Sequence, residues 1–196
     1  MAEPSPTEYT TEFTDEQLAG KVQKGDAQAF NILLERYRQK ILRYGNKFLL
    51  QPGDIEDVTQ DIFLKAYQNI KSFDVERRFS PWIYRIAHNE FINLGKKRKG
   101  EPLDFFDFDT FFPHPQSPDT SEKDFDQQQV KTELNTFLDQ LSVKYREPLV
   151  LYYIEGLDYK DIAEVLRVPV GAVGVRLNRA KKKLQELSSK FNNPLK

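Results

Sequence analysis

EGLDYKDIAEVLRVPVGAVGVRLNRAKKKL, residues 155–184, reads as two short amphipathic helices around a tight turn, the second ending in cations. Asp158 has the side chain of an N-cap, and Ile162, Ala163 and Leu166 fall on one side of the helix that follows. Pro169 and Gly171 break it. In the second helix Val173, Leu177, Ala180, Leu184 and Leu187 recur in steps of three and four, which makes one core-facing stripe. The opposite face carries Val175, Asn178, Arg179 and Lys182. A helix, a turn and a cationic helix in this order predict a helix-turn-helix that presents its second helix to the major groove of DNA. The competing reading is a purely structural helix pair with a solvated charged face.

The rest of the chain sets bounds on that reading. Its 196 residues suffice for two small domains or one medium one. The formal net charge is −1, but it is unevenly spread: residues 1–100 carry a balance of +2, residues 101–133 of −7 and residues 134–196 of +4. Two near-neutral to basic blocks around an acidic one suit two modules on a charged tether. There is no cysteine, which excludes disulfides, thiolate zinc sites and cysteine nucleophiles. Two histidines, His88 and His114, cannot build a metal cluster by themselves. No apolar run approaches the ~20 residues of a membrane span, and the start MAEPSPTEYTTEFTDE lacks signal-peptide character. A cytoplasmic protein without membrane insertion is expected.

The helical pattern continues N-terminally. Thr14 with Gln17 forms a capping box before a short helix containing Leu18 and Val22, which Gly25 ends. Asp26 caps a longer helix with the stripe Phe30, Leu34, Tyr37, Ile41, Tyr44 and Phe48. Pro52 and Gly53 break the chain and Asp54 restarts it, with Ile55, Val58, Ile62, Ala66 and Ile70 on the buried side. A loop from Lys71 to Phe79 follows. Ser80 and Pro81 then read as a cap and first-turn proline, opening a helix through Trp82, Ile83, Ile86, Ala87, Phe91 and Leu94 into the run KKRK. Residues 101–121, crowded with Pro, Asp and Phe, have neither helical nor strand period. Helicity resumes near Glu122, with Leu134, Phe137, Leu138 and Leu141 as a stripe; Pro148 opens a further helix and Gly156 stops it. The expected fold is all-α, with two small helical domains joined by an acidic flexible linker and a helix-turn-helix in the second.

Two faces do not look like core. On the third helix Asp57, Gln60, Asp61 and Gln68 surround Leu64; an apolar anchor among specific polar groups suits a protein interface, while a single exposed leucine on a solvated face is also ordinary. On the fourth, Arg85, Asn89, Ile92 and Lys96 share a ridge opposite Ile83, Ala87 and Leu94, with His88 and Trp82 at its edges. Beside it lies a loop with Arg77, Arg78 and Phe79. Together these offer phosphate attraction, base-edge donors and stacking surfaces. The stretch from Phe73 to Phe79 is the candidate for holding an unstacked base.

The succession DIEDVTQDIFLKAYQNIKSF, RRFSPWIYRIAHNEFINLGKKRK and LSVKYREPLVLYYIEGLDYKDIAEVLRVPVGAVGVRLNRAKKKL resembles small two-domain bacterial RNA polymerase sigma factors of the extracytoplasmic-function group. The resemblance spans residues 26–187. It implies a tail and short helix (residues 1–25), a domain for core polymerase and the minus-10 element (26–100), a linker (101–133) and a minus-35 domain (134–196). Asp57, Gln60, Asp61 and Leu64 would dock on the beta-prime coiled-coil. Arg77, Arg78, Phe79, Trp82, Arg85, Asn89 and Lys96 would meet minus-10 DNA, the loop before Ser80 holding a flipped base. Ala172, Val175, Arg176, Asn178, Arg179 and Lys182 would approach minus-35 DNA. Residues 147–154 would brace that helix and touch the beta flap. Asp104, Asp107 and Asp109 in the acidic segment would thread the polymerase channels as an RNA mimic. An anti-sigma factor is an implied partner; no catalytic residue, metal or cofactor is expected.

This sequence departs from the family where recognition helices commonly read GTVKSRL. Here Gly174 and Val175 replace a polar or cationic pair, so readout leans on backbone approach and on Val175 against a thymine methyl. Arg167 stands where glycine is common, and His88 and Asn93 where Arg and Asp are frequent. The main alternative is a stand-alone helix-turn-helix regulator on duplex DNA, which has no use for the third-helix patch. An all-α hydrolase using Asp57 and Asp61 lacks a cleft and metal-ligand partners.

Overall fold

The computed structural model describes residues 13–48, 51–99 and 138–191, and every regular element among them is helical. The acidic segment with Asp104, Asp107 and Asp109 lies outside the described residues, as do Glu122, Leu134 and Phe137. Two compact units form, one chiefly from residues up to Leu94 and the other chiefly from Gly95 onward.

The first unit holds α1 (Asp15–Gln23), α2 (Ala27–Asn46), α3 (Pro52–Asn69) and most of α4 (Phe79–Lys99). Local sequence sets the starts of α1 and α2. The Thr14 hydroxyl accepts from the Gln17 N–H at 3.3 Å while Gln17 Oε1 accepts from the Thr14 N–H at 2.9 Å, the full capping box. Asp26 Oδ1 accepts from the Ala29 N–H at 3.2 Å. Between them Gly25 takes φ 101°, a turn that a side chain would strain. Phe30, Tyr37, Ile41 and Tyr44 of the α2 stripe are buried and Leu34 and Phe48 half-buried; Ile32 and Leu33 join the core on its flank. Asp15 ties α1 to α2, accepting from Arg36 Nη1 at 2.6 Å and from the Tyr37 hydroxyl at 2.6 Å. Burial, helped by that hydrogen bond, holds the Tyr37 hydroxyl far above its ordinary pKa, so it stays a donor.

Two expected helix boundaries move. Pro52 and Gly53 do not precede α3 but open it, with Gln51 at the N-cap; a first-turn proline gives up an N–H that has no intrahelical partner anyway. α4 likewise begins at Phe79, so Ser80 and Pro81 lie inside its first turn. On α3, Ile55, Ile62, Ala66 and the following Ile70 are buried as expected, Val58 is half-buried, and Thr59 and Phe63 are buried as well. Lys65 of α3 pairs with Glu90 of α4 at 2.6 Å.

In the second unit a 3-10 turn, Leu138–Gln140, is followed by α5 (Val143–Leu149), which runs into a π-helical segment, Val150–Ile154. Pro148 thus sits within a helix instead of opening one. Its missing N–H leaves a gap in the α-ladder, and the register widens immediately afterwards, the Glu155 N–H reaching the Val150 carbonyl at 3.0 Å. Gly156, at φ 70°, ends the segment, and the Leu157 N–H returns to the Leu151 carbonyl at 2.9 Å. Arg146 is 3% exposed and its guanidinium donates to the Leu138 carbonyl at 2.7 Å and the Leu141 carbonyl at 2.6 Å, fastening the 3-10 turn to α5.

α6 (Tyr159–Leu166) and α7 (Val170–Phe191) follow. Asp158 Oδ1 caps α6 through the Asp161 N–H at 2.8 Å, and Ile162, Ala163 and Leu166 are buried. The chain turns at Arg167, at φ 54° and ψ 46°, not at Pro169 and Gly171; Gly171 lies in the first turn of α7. Left-handed backbone costs a non-glycine residue about 1–2 kcal/mol, offset by the extra freedom glycine has when unfolded. Arg167→Gly is therefore expected to stabilise the chain by about 0.5–1 kcal/mol. A higher urea midpoint checks this; an unchanged or lower one contradicts it.

Candidate nucleic-acid interface

α3 turns its apolar residues inward and leaves Asp57, Gln60, Asp61, Leu64 and Gln68 exposed on the other side. Leu64 is 56% exposed and Tyr67, one turn on, 47%. A groove of about 360 Å³ between α2 and α3 opens beside them, lined in part by Leu34, Arg38, Gln60, Leu64 and Tyr67. Tyr67 packs edge-on to Phe30, 5.0 Å between ring centroids. The result is an apolar strip bordered by carboxylates and amides, and the sequence reading included neither Tyr67 nor the groove.

The segment between α3 and α4 is more ordered than a plain loop. A 3-10 turn, Ile70–Ser72, leads into Phe73. Asp74 then folds a tight turn: its carbonyl accepts from the Arg77 N–H at 3.0 Å and its Oδ1 from the Glu76 N–H at 3.1 Å. Asp74, Val75, Glu76, Arg77 and Arg78 are exposed. The phenylalanines at its ends are not. Phe73 is 5% exposed and Phe79 1%, packed on each other at 5.4 Å, with Tyr37 5.3 Å from Phe79. The Phe79 ring, expected to meet DNA, is packed in the core. Trp82 is half-buried, with centroids 5.2 Å from Phe73 and 5.4 Å from Phe79.

Along α4, Arg85 and Asn89 are half-exposed, and Asn93, Lys96 and Lys97 exposed. Ile92, expected on this ridge, is 5% exposed, and His88, expected at its edge, 7%. The buried arc therefore covers more of α4 than its stripe suggests, and the open ridge centres nearer Asn93.

On α7 Val173, Leu177 and Ala180 are fully buried and Leu184 and Leu187 half-buried. Val175, Asn178 and Lys182 are exposed on the far side, with Ala172 and Arg179 half-exposed. Arg176 is the exception among the expected DNA contacts. It is 8% exposed, and burial draws its guanidinium below the ordinary pKa while Glu147 and Tyr145 favour the charge. A cation so enclosed braces α7 on α5 and has little surface to give DNA. A basic cluster not anticipated from the sequence lies nearby. Lys183 Nζ sits 4.4 Å and Lys144 Nζ 5.2 Å from the Tyr145 ring centroid. Desolvation lowers the Lys144 pKa, and Arg176 and Arg179 push in the same direction against Tyr145. Cations crowded this way create the positive potential that phosphates seek.

Residues 33–101 match the model of Sigma-70 region 2, and residues 131–184 that of Sigma-70 region 4. The ECF RNA polymerase sigma-E factor of Haemophilus influenzae is 33% identical over 180 residues, covering 89% of this chain and 95% of that protein. This chain belongs to the ECF RNA polymerase sigma factors. The architecture agrees. CnrH, solved in complex with the cytosolic domain of CnrY, aligns at a TM-score of 0.65 with 27% identity, over 89% of this chain and 97% of that one. The sigma factor RpoE of Bartonella quintana, co-crystallised with the anti-sigma factor NepR, aligns at 0.60 with 26% identity, over 83% and 98%. As a sigma factor, the chain is a promoter-directing transcription initiation factor, and its exposed surfaces lie in the stretches matched by regions 2 and 4. Among the described residues no helix is long and apolar enough to cross a membrane.

Proposed function

We propose that this sigma factor binds core RNA polymerase through the α3 face, with Leu64 as apolar anchor and Asp57, Gln60 and Asp61 as its polar surround on the beta-prime coiled-coil. The observation that carries it is the 56% exposed Leu64 ringed by those groups, a surface a stand-alone DNA-binding protein does not need. Residues 26–100 also engage the minus-10 element. Arg77 and Arg78 supply cations at the turn, the open side of Trp82 a stacking surface, and Arg85, Asn89 and Lys96 the approach to duplex or junction DNA. The unit of residues 134–196 takes the minus-35 element through Ala172, Val175, Asn178, Arg179 and Lys182. Lys144 and Lys183 add phosphate contacts, and residues 147–154 brace α7 and touch the beta flap. Residues 101–133, with Asp104, Asp107 and Asp109, run through the polymerase channels. The protein acts in the cytoplasm without catalysis of its own, and an anti-sigma factor holds it in reserve, as the RpoE co-crystal with NepR suggests by analogy.

A photo-crosslinker placed at Leu64 and, separately, at Val175 tests this assignment in a holoenzyme on promoter DNA. Leu64 is expected to label the beta-prime subunit and Val175 the DNA near minus-35; DNA labelling from Leu64 overturns it. Val175→Lys puts a cation where an apolar contact met a base, so the preferred minus-35 sequence is expected to change in transcription from randomised promoters. An unchanged preference means the position does not face bases.

A further inference from the structure

The face of α1 that looks toward the turn before α4 carries Glu16, Gly20 and Gln23, spaced at i, i+4 and i+7 and so aligned on one side of the helix. Each meets a different part of that turn. Gln23 Nε2 donates to two carbonyls at its start, Ile70 at 2.8 Å and Phe73 at 2.7 Å. Two acceptors facing one side-chain end identify that end as the amide nitrogen, with both hydrogens in use. Gly20 lies under the middle, where a Cβ would stand 3.6 Å from Val75 Cγ1. Glu16 Oε1 accepts from the Phe79 N–H at 2.9 Å, at the end of the turn and the first residue of α4. That N–H is among those a helix leaves without an internal partner, and a carboxylate there also suits the helix dipole.

We propose that α1 is a positioning clamp for strand opening: Glu16 and Gln23 hold the two ends of the 73–79 turn so that its exposed tip is already shaped when a base leaves the stack. The proposal rests on the minus-10 reading of that tip. Three further observations support it. The hydrogen bonds span 47, 50 and 63 residues, so they contribute nothing to α1 as a helix. The turn's flanking phenylalanines are fixed in the aromatic cluster with Tyr37, and Tyr37 is held by Asp15 of the same α1. Between those anchors the Asp74 turn restricts the five exposed residues Asp74 to Arg78. A tip fixed in advance loses less conformational freedom when it captures a base, so the clamp speeds opening without touching DNA. Glu16 and Gln23 are therefore positioning residues.

The test compares holoenzymes, each the full chain with core polymerase, on a duplex promoter and on the same promoter with its minus-10 region pre-opened by mismatches. Opening is followed by the fluorescence of 2-aminopurine in the non-template strand. Gln23→Glu keeps the size of the side chain but sets oxygens against the Ile70 and Phe73 carbonyls. It is expected to slow opening on duplex about tenfold, and to leave core affinity and transcription from the pre-opened template unchanged. Glu16→Ala is expected to act alike, and Glu16→Gln, which keeps an acceptor for the Phe79 N–H, to restore most of the rate. Equal losses on both templates, or wild-type opening by Gln23→Glu, overturn the clamp. Arg77→Ala combined with Arg78→Ala separates the two layers. If that pair opens duplex normally, the minus-10 reading fails and the clamp with it; if it is slow while Gln23→Glu is not, the clamp alone falls.

Discussion

Gly45→Val is expected to destabilise the N-terminal unit by about 3 kcal/mol, through the close approach of three helices. Gly45 is buried on α2, and a Cβ built there stands 2.5 Å from Phe91 Cζ of α4 and 2.7 Å from Ile55 Cγ2 of α3. Neither neighbour can yield cheaply. Phe91 is fully buried, stacked on Phe48 at 5.4 Å and edge-on to Tyr44 at 6.0 Å, and Ile55 is 2% exposed. Replacing glycine inside a helix gains up to about 1 kcal/mol in helix propensity for alanine, less for valine. Overpacking at under 3 Å on two sides outweighs it, so alanine is also expected to destabilise, by less than valine. Thermal or urea unfolding of the full chain decides the matter: a lowered first transition is the expected result, and a wild-type midpoint for valine contradicts it. Because Phe91 belongs to α4, Gly45 also sets how deeply the proposed promoter-reading helix seats.

Leu64→Asp is expected to do the opposite, sparing the fold and removing the function. At 56% exposure the leucine contributes little to the core, and the change in folding stability should stay within about 0.5 kcal/mol. In the proposed interface the same side chain is the central anchor, and truncating such anchors commonly costs 2 kcal/mol or more. Aspartate adds a desolvated carboxylate beside Asp57 and Asp61. Core affinity is expected to fall about 100-fold or more, given that these losses act together. Fluorescence titration of labelled protein with core polymerase gives the number. Unfolding of the variant, or undiminished affinity, contradicts this assignment of α3.

How much of this was legible in the sequence depended on the range of the cause. The caps at Thr14, Asp26 and Asp158 act over three residues, and all three are present as read. The apolar stripes of α2 and α7 follow from helical period alone. Pro52 and Gly171 read as breaks and Pro148 as a helix start, because proline and glycine usually punctuate. A first turn tolerates Pro52 and Gly171, and a π-helical register after Pro148 absorbs the missing donor. Phe79 by its residue type and Arg176 by the family resemblance point to DNA. Their burial follows from partners far along the chain: Tyr37 and Phe73 for one, Glu147 on another helix for the other. Gln23 and Glu16 were invisible for the same reason, since their partners lie 47 to 63 residues away. The family resemblance supplied the roles that local physics could not, because a helix face shows that a surface is open but not what comes to it.

One chain both joins core polymerase and selects its promoters. Transcribing a pool of randomised promoters with core bacterial polymerase, with and without this protein, and sequencing the RNA starts separates this from promoter binding alone. Starts that require the protein, share upstream elements near minus-10 and minus-35, and vanish with Leu64→Asp are expected. Contradiction would be the absence of protein-dependent starts while the same preparation binds duplex DNA without polymerase.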